Sequence, residues 1–359
     1  MSRKEQMQEI LSNNNIDAML LYSTENRYWY SRFPSSLGYL LITKEKTYLF
    51  LDGRYITAAR TLVDLQNVDE LIEFGSGDKS LWKQFNEKLQ KHNVKSLGYE
   101  SDWLVVNHVE QLKKQIMANL IAINLETIRM IKDDWEIANI KKACDITNEV
   151  FKEVLLWIKP GIDEKELARF VSDSFLKHGA QKLSFDTIVA SGENGAKPHA
   201  VPTDKKIVAG ELITLDMGCF YKGYASDQTR TFAILNVNNQ KLLEIYDIVY
   251  QAQQKGIDAI KPGIAGKEIH QICVDYIAKQ GYGEYFTHGT GHGLGLQIHE
   301  EPYNNSVDTK LLQTGMVVTV EPGIYIPGIG GVRIEDDILV TKTGHEFLTT
   351  AIRTLQIVK

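Results

Sequence analysis

The chain has few cysteines, no long apolar run and no run of basic residues. With three cysteines in 359 residues, it lacks the paired cysteines that staple small secreted domains. No apolar stretch approaches the roughly 18 residues of a membrane-spanning helix, and the basic N-terminus is not followed by the apolar core of a signal peptide. We therefore expect a soluble, cytoplasmic protein with reduced thiols.

The charge balance excludes a further class of partner. The net charge is −6 and no segment is rich in lysine and arginine, whereas general nucleic-acid and anionic-membrane binders need a basic face. We expect neither nucleic acid nor membrane as a partner. The length of 359 residues predicts two domains rather than one core.

Residues 1–128 alternate strand-like and helix-like segments. The apolar runs DAMLLY, GYLLIT and TYLFLD predict buried strands, and Leu81, Phe85 and Leu89 predict a helix because they lie four residues apart. The pattern indicates an α/β domain with a mixed sheet. Neither common glycine-rich phosphate loop is present, so we expect a structural or lid role without a nucleotide.

The sequence changes character at residues 125–132, and we place a second domain at 129–359. Asp133 and Glu136 have the spacing of a capping box, and a long amphipathic helix is predicted to follow until Pro160-Gly161.

The second domain contains an internal repeat. The segment KPGIDEKELARFVSDSFLKHG from Lys159 matches KPGIAGKEIHQICVDYIAKQG from Lys261 without gaps, and ITLDMG further on matches VTVEPG. Each copy predicts a helix that begins after Pro-Gly and ends at a glycine cap. Two copies are too few for a solenoid array, so the repeat predicts a pseudo-twofold domain with its site on the pseudo-axis.

The repeat delivers four acids: Asp216 and Asp227 from the first copy, Glu321 and Glu335 from the second. Each follows or lies in an apolar, strand-like run, and buried carboxylates need compensating charge. Two divalent ions balance four carboxylates, so the set favours a two-metal site and hydrolysis. For single acids, two alternatives remain: Asp216 could end a strand in a turn, and residues 335–337 could be a solvated edge.

Between the acids lies HGTGHGLGLQIHE, which contains His288, His292 and His299. Alternating glycines make a helix improbable there. On an extended strand His288 and His292 share a face but lie roughly 13 Å apart. One is therefore expected to be a metal ligand and the other to line the pocket, with a hydrogen-bonded core histidine as the alternative for His288 or His299.

These motifs, LDMG with Asp227, HGTGHGLGLQIHEEP, VEPGIY and VRIEDD, resemble the pita-bread metallopeptidases (M24), the family of Xaa-Pro dipeptidase, aminopeptidase P and methionine aminopeptidase. DGRY at residues 52–55 extends the resemblance to the creatinase-type N-terminal domain. The resemblance implies an α+β fold, with a pseudo-twofold pita-bread catalytic domain behind a smaller α/β domain.

The resemblance also implies roles. Asp216 would chelate one metal, Asp227 and Glu335 would bridge both, and His292 and Glu321 would complete the second. Glu321 is the family's candidate for the general base.

Four further residues match the family's pocket. His199, His288 and His299 would steady the tetrahedral intermediate and the scissile peptide. Arg333 matches the Xaa-Pro branch and would anchor the site or the substrate carboxylate, with a structural salt bridge as the alternative.

The large N-terminal domain and Arg333 are features of the Xaa-Pro branch rather than of methionine aminopeptidases. Within that branch the compact length favours a dipeptidase, with aminopeptidase P as the alternative. The segment ENRYWYSRFPSSLGY departs from the family's N-x-x-Y-L-[TS]-G-F pattern, because Arg32 replaces the glycine and Trp29 or Tyr30 the leucine.

The resemblance further implies two divalent ions, Mn²⁺ first and Co²⁺ or Zn²⁺ as alternatives, small peptides with proline in second position as substrates, and a homodimer. Creatinase, a metal-free amidinohydrolase, and non-catalytic pita-bread binding proteins share the fold, but both lack the full ligand set.

Overall fold

The structure, a computed structural model, describes residues 2–63, 67–75 and 78–359. The chain divides into two compact units, residues 1–128 and 129–359. In the described part, none of the helices is both long enough and apolar enough to span a membrane.

The first unit has helices at Arg3–Asn13 (α1), Thr24–Ser31 (α2), Ile56–Leu62 (α3), Asp78–Lys91 (α4) and Val106–Gln115 (α5). Its strands are Ala18–Leu21 (β1), Tyr39–Thr43 (β2), Thr47–Asp52 (β3), Glu70–Phe74 (β4), Ser96–Glu100 (β5) and Asn119–Ile123 (β6). Within the described residues these strands form one sheet in the order β4-β3-β2-β1-β5-β6.

This sheet is mixed, as the sequence predicts. Strand β2 runs antiparallel to β1 and β3, whereas β5 runs parallel to β1 and β6. The three apolar runs are β1, β2 and β3 and are buried. Leu81, Phe85 and Leu89 of α4 join the core beside them, so the predicted helix is confirmed.

The departure from the family's pattern has a local cost. Arg32 ends α2 in the left-handed region at φ 53°, a conformation that glycine adopts without a steric penalty. The left-handed backbone at this position therefore explains why the family more often has glycine there. This chain adopts the same conformation with arginine.

The second unit has helices at Asp134–Trp157 (α6), Glu164–Lys177 (α7), Gln240–Asp258 (α8) and Gly266–Lys279 (α9), and short 3-10 turns at Gly192–Ala196 and Gly283–Tyr285. Its first seven strands are Lys182–Leu183 (β7), Ile188–Ser191 (β8), Leu212–Met217 (β9), Cys219–Tyr221 (β10), Tyr224–Ala225 (β11), Gln228–Ile234 (β12) and Gly291–Gly293 (β13). The other strands are Glu300–Asn304 (β14), Val317–Val320 (β15), Gly323–Ile326 (β16), Gly330–Arg333 (β17), Asp336–Val340 (β18), His345–Phe347 (β19) and Ile357–Val358 (β20).

Helix α6 begins with the predicted capping box. The Asp133 side chain accepts from the Glu136 N–H, and the Glu136 side chain accepts from the Asp133 N–H. The helix ends at Trp157, slightly before the predicted stop at Pro160-Gly161.

Matched glycines show that the repeat is structural. Gly161 and Gly263 precede α7 and α9 at φ 94° and 92°, and Gly179 and Gly281 follow these helices at 88° and 87°. Each glycine occupies a region that disfavours other residues. The two copies therefore share their turn geometry as well as their apolar pattern, as a pseudo-twofold domain requires.

Two antiparallel strand pairs carry the acids at or next to their ends. In the sheet β20-β12-β9-β8, Asp216 of β9 pairs with Thr229 of β12. In the sheet β14-β13-β15-β18-β19, Val320 at the end of β15 pairs with Asp336 at the start of β18. These registers bring the strand ends that hold the acids toward one place in the second unit.

Candidate metal centre

All nine residues that the sequence singles out line one cavity of about 430 Å³ in the second unit. They are Asp216, Asp227, Glu321, Glu335, His199, His288, His292, His299 and Arg333. The acids lie at strand ends: Asp216 near the end of β9, Glu321 just after β15, Glu335 just before β18 and Asp227 just before β12.

Burial removes the two alternatives for single acids. Asp216 is 8% exposed inside β9 rather than in a turn. Residues 335–337 are at most 1% exposed, so they are not a solvated edge.

Three of these groups are close enough to hold an ion. Ligand atoms of Asp227, His292 and Glu335 all lie within 4.8 Å of one another. His292 Nε2 lies 3.6 Å from Asp227 Oδ2 and 3.6 Å from Glu321 Oε1. His292 Nδ1 lies 3.1 Å from the Gly293 carbonyl, which only accepts, so Nδ1 carries the hydrogen and Nε2 presents its lone pair to the acids.

Asp216 is the remaining acid of the candidate metal site, and its two carboxylate oxygens have different surroundings. Its Oδ2 accepts a hydrogen bond from Arg333 Nη2 at 2.7 Å, whereas its Oδ1 is buried without a hydrogen-bond partner among the described residues. A buried, unpartnered carboxylate oxygen is costly unless a cation meets it. The residues present therefore fit divalent metal ions.

The pKa values of the acids and of His292 reflect their burial close to one another. Burial, reinforced by neighbouring carboxylates, raises the pKa of Asp227 and Glu335 well above the usual range. Burial, with repulsion from Asp216 and against the attraction of Arg333, raises the pKa of Glu321 to about 7. Burial lowers the pKa of His292 to about 3, so this imidazole is neutral at neutral pH. Acids this crowded need cations to ionise together.

Supporting side chains follow the strand period of two, a signal that the sequence already contained. Thr229, two residues after Asp227, donates from Oγ1 to Glu335 Oε2 at 2.7 Å. Asp337, two residues after Glu335, accepts the Asp227 backbone N–H at 2.9 Å through Oδ2. Alternate residues share one face of a strand, so these partners could have been predicted from their spacing.

The histidines differ in how they are held. His288 Nδ1 lies 2.7 Å from the Gly289 carbonyl and Nε2 lies 2.8 Å from the Tyr325 hydroxyl, so both nitrogens are engaged. His299 packs edge-on against His292, with ring centroids 4.3 Å apart. The predicted extended strand is wrong for most of this segment, because β13 covers only Gly291–Gly293; glycine gives little side-chain packing to hold a longer strand.

The second acid of each copy does not occupy an equivalent position. In the registers given above, Thr229 stands opposite Asp216, and the pairing of Val320 with Asp336 puts Glu335 opposite Glu321. Asp227 lies two residues before Thr229. The pseudo-twofold symmetry thus brings the acids together but does not pair them one to one.

In the metal-free protein, we expect the free energy of unfolding to fall as pH rises from about 6.5 to 8. Burial raises the pKa of Asp337 to about 8 and that of Glu321 to about 7, and it raises those of Asp227 and Glu335 well above their usual range. The folded chain therefore keeps protons that the unfolded chain has lost. His292 and His288, with pKa values lowered by burial to about 3 and about 4, are neutral in the folded chain. Because unfolded histidine titrates near pH 6.5, they oppose the fall slightly up to about pH 7.5 and add no slope above it.

Urea unfolding after chelation measures this fall, which we expect to amount to several kcal/mol. Asp337→Asn is expected to remove roughly 1.5 kcal/mol of it. With saturating Mn²⁺ the trend reverses, since metal binding needs ionised carboxylates. A flat profile in the metal-free protein would contradict the prediction.

Comparison with known proteins agrees with this geometry. Residues 138–342 match the model of metallopeptidase family M24, and residues 3–131 match the Creatinase/Prolidase N-terminal domain. The chain is 40% identical to a putative Xaa-Pro aminopeptidase of Mycoplasma pneumoniae, over 93% of this chain and 92% of the relative. It is 40% identical to an Xaa-Pro dipeptidase of Pyrococcus horikoshii, over 97% of this chain and 96% of the relative.

The solved structure of an Xaa-Pro dipeptidase from Bacillus anthracis superimposes with a TM-score of 0.93 at 40% identity, covering 99% of this chain and 98% of that one. The fold is thus the predicted pita-bread catalytic domain behind a creatinase-type domain. With the family models matching both units and the acids and imidazole gathered in one cavity, this chain belongs to metallopeptidase family M24.

Proposed function

We propose that this protein is a dinuclear metal-dependent peptidase that hydrolyses the bond between a first residue and a proline in second position, above all in dipeptides. One observation carries the proposal: four acids and one imidazole converge on a single cavity of the second unit. The Xaa-Pro specificity is supported by the names of the relatives from Pyrococcus horikoshii and Bacillus anthracis.

In this proposal Asp216 would hold one metal ion, Asp227 and Glu335 would be shared by the two ions, and His292 and Glu321 would hold the second. The mutual approach of Asp227, His292 and Glu335 supports the shared position, and the unpartnered Oδ1 supports the place of Asp216. Two divalent ions at such a site lower the pKa of water and polarise a carbonyl.

The remaining groups handle protons and orient the substrate. Glu321, which lines the cavity with its Oε1 3.6 Å from His292 Nε2, is placed to take a proton from the attacking water and pass it to the proline nitrogen. His199 and His299 make no hydrogen bond to a side chain or backbone group that the structure describes, so their imidazoles are free to donate to the carbonyl oxygen as it becomes negative. His288 and Arg333 have a positioning role. His288 is hydrogen-bonded to the Tyr325 hydroxyl, and Arg333 holds Asp216 and the Pro198 carbonyl.

We further propose Mn²⁺ as the metal, with Co²⁺ or Zn²⁺ as alternatives, and a homodimer in the cytoplasm. Oxygen-rich ligation with one nitrogen supports a hard or borderline ion over a thiolate zinc site.

With Mn²⁺ added to the metal-free protein, we expect release of proline from Leu-Pro and Gly-Pro, because the site offers the ligands for two ions. Amino-acid analysis after incubation measures the product. Leu-Ala serves as the matched control and should be cleaved far more slowly. Intact Leu-Pro and Leu-Pro-Gly in the presence of bound metal would refute the proposed function.

Aminopeptidase P activity is the second candidate, favoured by the similarity to the putative Xaa-Pro aminopeptidase of Mycoplasma pneumoniae. The ratio of kcat/KM for Leu-Pro to that for Leu-Pro-Gly-Gly separates the two. A ratio well above one supports the dipeptidase, and a ratio well below one supports the aminopeptidase.

A further inference from the structure

A buried carboxylate outside the metal centre ties together both ends of the loop that carries His199. Glu164, in the first turn of α7, is 0% exposed. Its Oε1 accepts from the Ser191 N–H and Oγ, each at 2.8 Å, and from Asn194 Nδ2 at 3.1 Å. Its Oε2 accepts from the Thr203 N–H at 3.0 Å and Oγ1 at 2.7 Å. Residues 191–194 and 203 are the two ends of one loop.

The charge on Glu164 strengthens this tether. Burial acts to raise the pKa of Glu164, but the hydrogen bonds from Thr203, Ser191 and Asn194 outweigh burial and lower it. The group is therefore a carboxylate at neutral pH, and hydrogen bonds to a charged acceptor are stronger than those between neutral groups.

The tethered loop supplies the cavity with two groups. The first is His199, which lines the cavity. The second is the Pro198 carbonyl, which accepts from Arg333 Nη1 at 3.0 Å, and Arg333 in turn holds Asp216. A shift of the loop thus reaches both a substrate-facing imidazole and the support of a proposed metal ligand.

The position of His199 depends on its backbone. Its imidazole makes no hydrogen bond within the described part of the chain and is exposed to the cavity. The backbone around it is linked to the tether, because the Lys197 N–H donates to the Asn194 carbonyl at 3.0 Å and the Ala200 N–H donates to the Lys197 carbonyl at 3.2 Å. The contacts that fix this histidine therefore lead to Glu164.

The other half of the repeat has no such carboxylate. At the offset that aligns α7 with α9, Gly266 stands where Glu164 does. A Cβ at Gly266 would lie 2.0 Å from the Tyr303 carbonyl oxygen, so β14 packs directly on that helix end. The carboxylate thus belongs to the half whose neighbouring segment is a loop rather than a strand.

We propose that Glu164 is a positioning residue of this peptidase: it holds the 191–203 loop so that His199 faces the substrate and Pro198 braces Arg333. This inference rests on the proposed function, in which His199 donates to the developing negative charge. It predicts that the charge of Glu164 affects the rate mainly through His199, in smaller part through the Pro198 brace, and not through general stability.

The test is a double-mutant cycle on Leu-Pro hydrolysis by the Mn²⁺-loaded full chain. Glu164→Gln keeps the volume and removes the charge, and we expect kcat to fall about tenfold while KM changes by less than about twofold, because displaced catalytic groups slow the chemical step. His199→Gln alone is expected to slow kcat. In the His199→Gln background, Glu164→Gln is expected to lower kcat by no more than about threefold, because only the brace from Pro198 to Arg333 remains for it to act through.

Glu166→Gln is the matched control. Glu166 lies in the same helical turn and accepts the Asp163 N–H at 2.7 Å, so this variant loosens the helix end without touching the loop and should leave kcat unchanged. Thr203→Val removes a single donor to Glu164 and serves if Glu164→Gln yields too little folded protein. We expect it to slow kcat about threefold.

The outcomes separate the two hypotheses. A wild-type protein that cleaves no Xaa-Pro peptide refutes the proposed function. An active wild type with a slow His199→Gln but unchanged Glu164→Gln and Thr203→Val overturns the role of Glu164 alone. Additive effects in the double mutant overturn it too, since they would mean that Glu164 acts independently of His199.

Discussion

Glu335→Ala is expected to lower turnover by roughly 10³-fold or more, the several kcal/mol that metal ions contribute to the transition state. Glu335 is 1% exposed, its carboxylate belongs to the group within 4.8 Å that includes Asp227 and His292, and Thr229 holds it through a 2.7 Å hydrogen bond. Loss of this carboxylate removes the proposed bridge between two ions. Metal analysis should therefore show one ion per chain or fewer.

Glu346→Ala is the matched control for this experiment. Glu346 lies on β19, pairs with Leu339 of β18 and makes a surface ion pair with Lys141. Exposed ion pairs contribute little, so turnover should stay within about twofold of wild type. Near-normal turnover in Glu335→Ala would show that the proposed ligand set is wrong.

The same carboxylate should have opposite effects on stability with and without metal. In the metal-free protein Glu335 is disfavoured by burial and by the repulsion of Glu321 and Asp216. Glu335→Gln, which keeps the volume, should therefore have a higher Tm than metal-free wild type at pH 8. Added Mn²⁺ should raise the Tm of wild type more, because only wild type keeps both sites.

Arg333→Met is expected to lower kcat/KM by roughly 10²-fold or more, since removing one partner of a buried ion pair leaves an uncompensated charge. Arg333 is 4% exposed. It donates to Asp216 Oδ2 at 2.7 Å, the Pro198 carbonyl at 3.0 Å, the Tyr325 hydroxyl at 3.0 Å and Thr229 Oγ1 at 3.1 Å. These bonds support the salt-bridge interpretation of Arg333 over an anchor for the substrate carboxylate.

The C-terminal carboxylate of the substrate distinguishes these two roles. If Arg333 holds Asp216, the variant should lose a similar factor on Leu-Pro and on Leu-Pro amide, which has no carboxylate. A loss confined to Leu-Pro, with a raised KM, would instead identify Arg333 as the carboxylate anchor. Arg353→Met is the control, because Arg353 Nε lies 3.8 Å from Asp336 Oδ2 and does not line the cavity.

Local features of the fold were predictable because their causes are local. The capping box of Asp133 and Glu136, the helix with Leu81, Phe85 and Leu89, and the glycine-ended repeat helices follow from neighbouring residues. The same reasoning failed for residues 288–293, where strand alternation was assumed across several glycines and the strand proved to be short. Because glycine has no side chain to pack, a glycine-rich segment does not show which neighbouring strand it will pair with or how far the strand will extend.

The sequence could predict which residues gather in the cavity but not how they contact one another. The repeat and the motifs single out the acids, His292 and Arg333, all of which line that cavity. That Arg333 binds Asp216, that Tyr325 engages His288, and that Glu164 holds the loop of His199 involve residues far apart in the chain. Such contacts depend on how the sheets and loops pack.

The sequence by itself determined the types of group present. These are four carboxylates, whose burial needs compensating cations, the histidines of the pocket motifs, and two repeated helices with their glycine caps. Only the tertiary structure decided which atoms meet. The registers of β9 with β12 and of β15 with β18 place Glu335 opposite Glu321 and put Thr229, not Asp227, opposite Asp216. A shift of one residue in either register would turn these side chains to the other face. The physical reason is that register is fixed by packing across a whole sheet face, which no short stretch of sequence specifies.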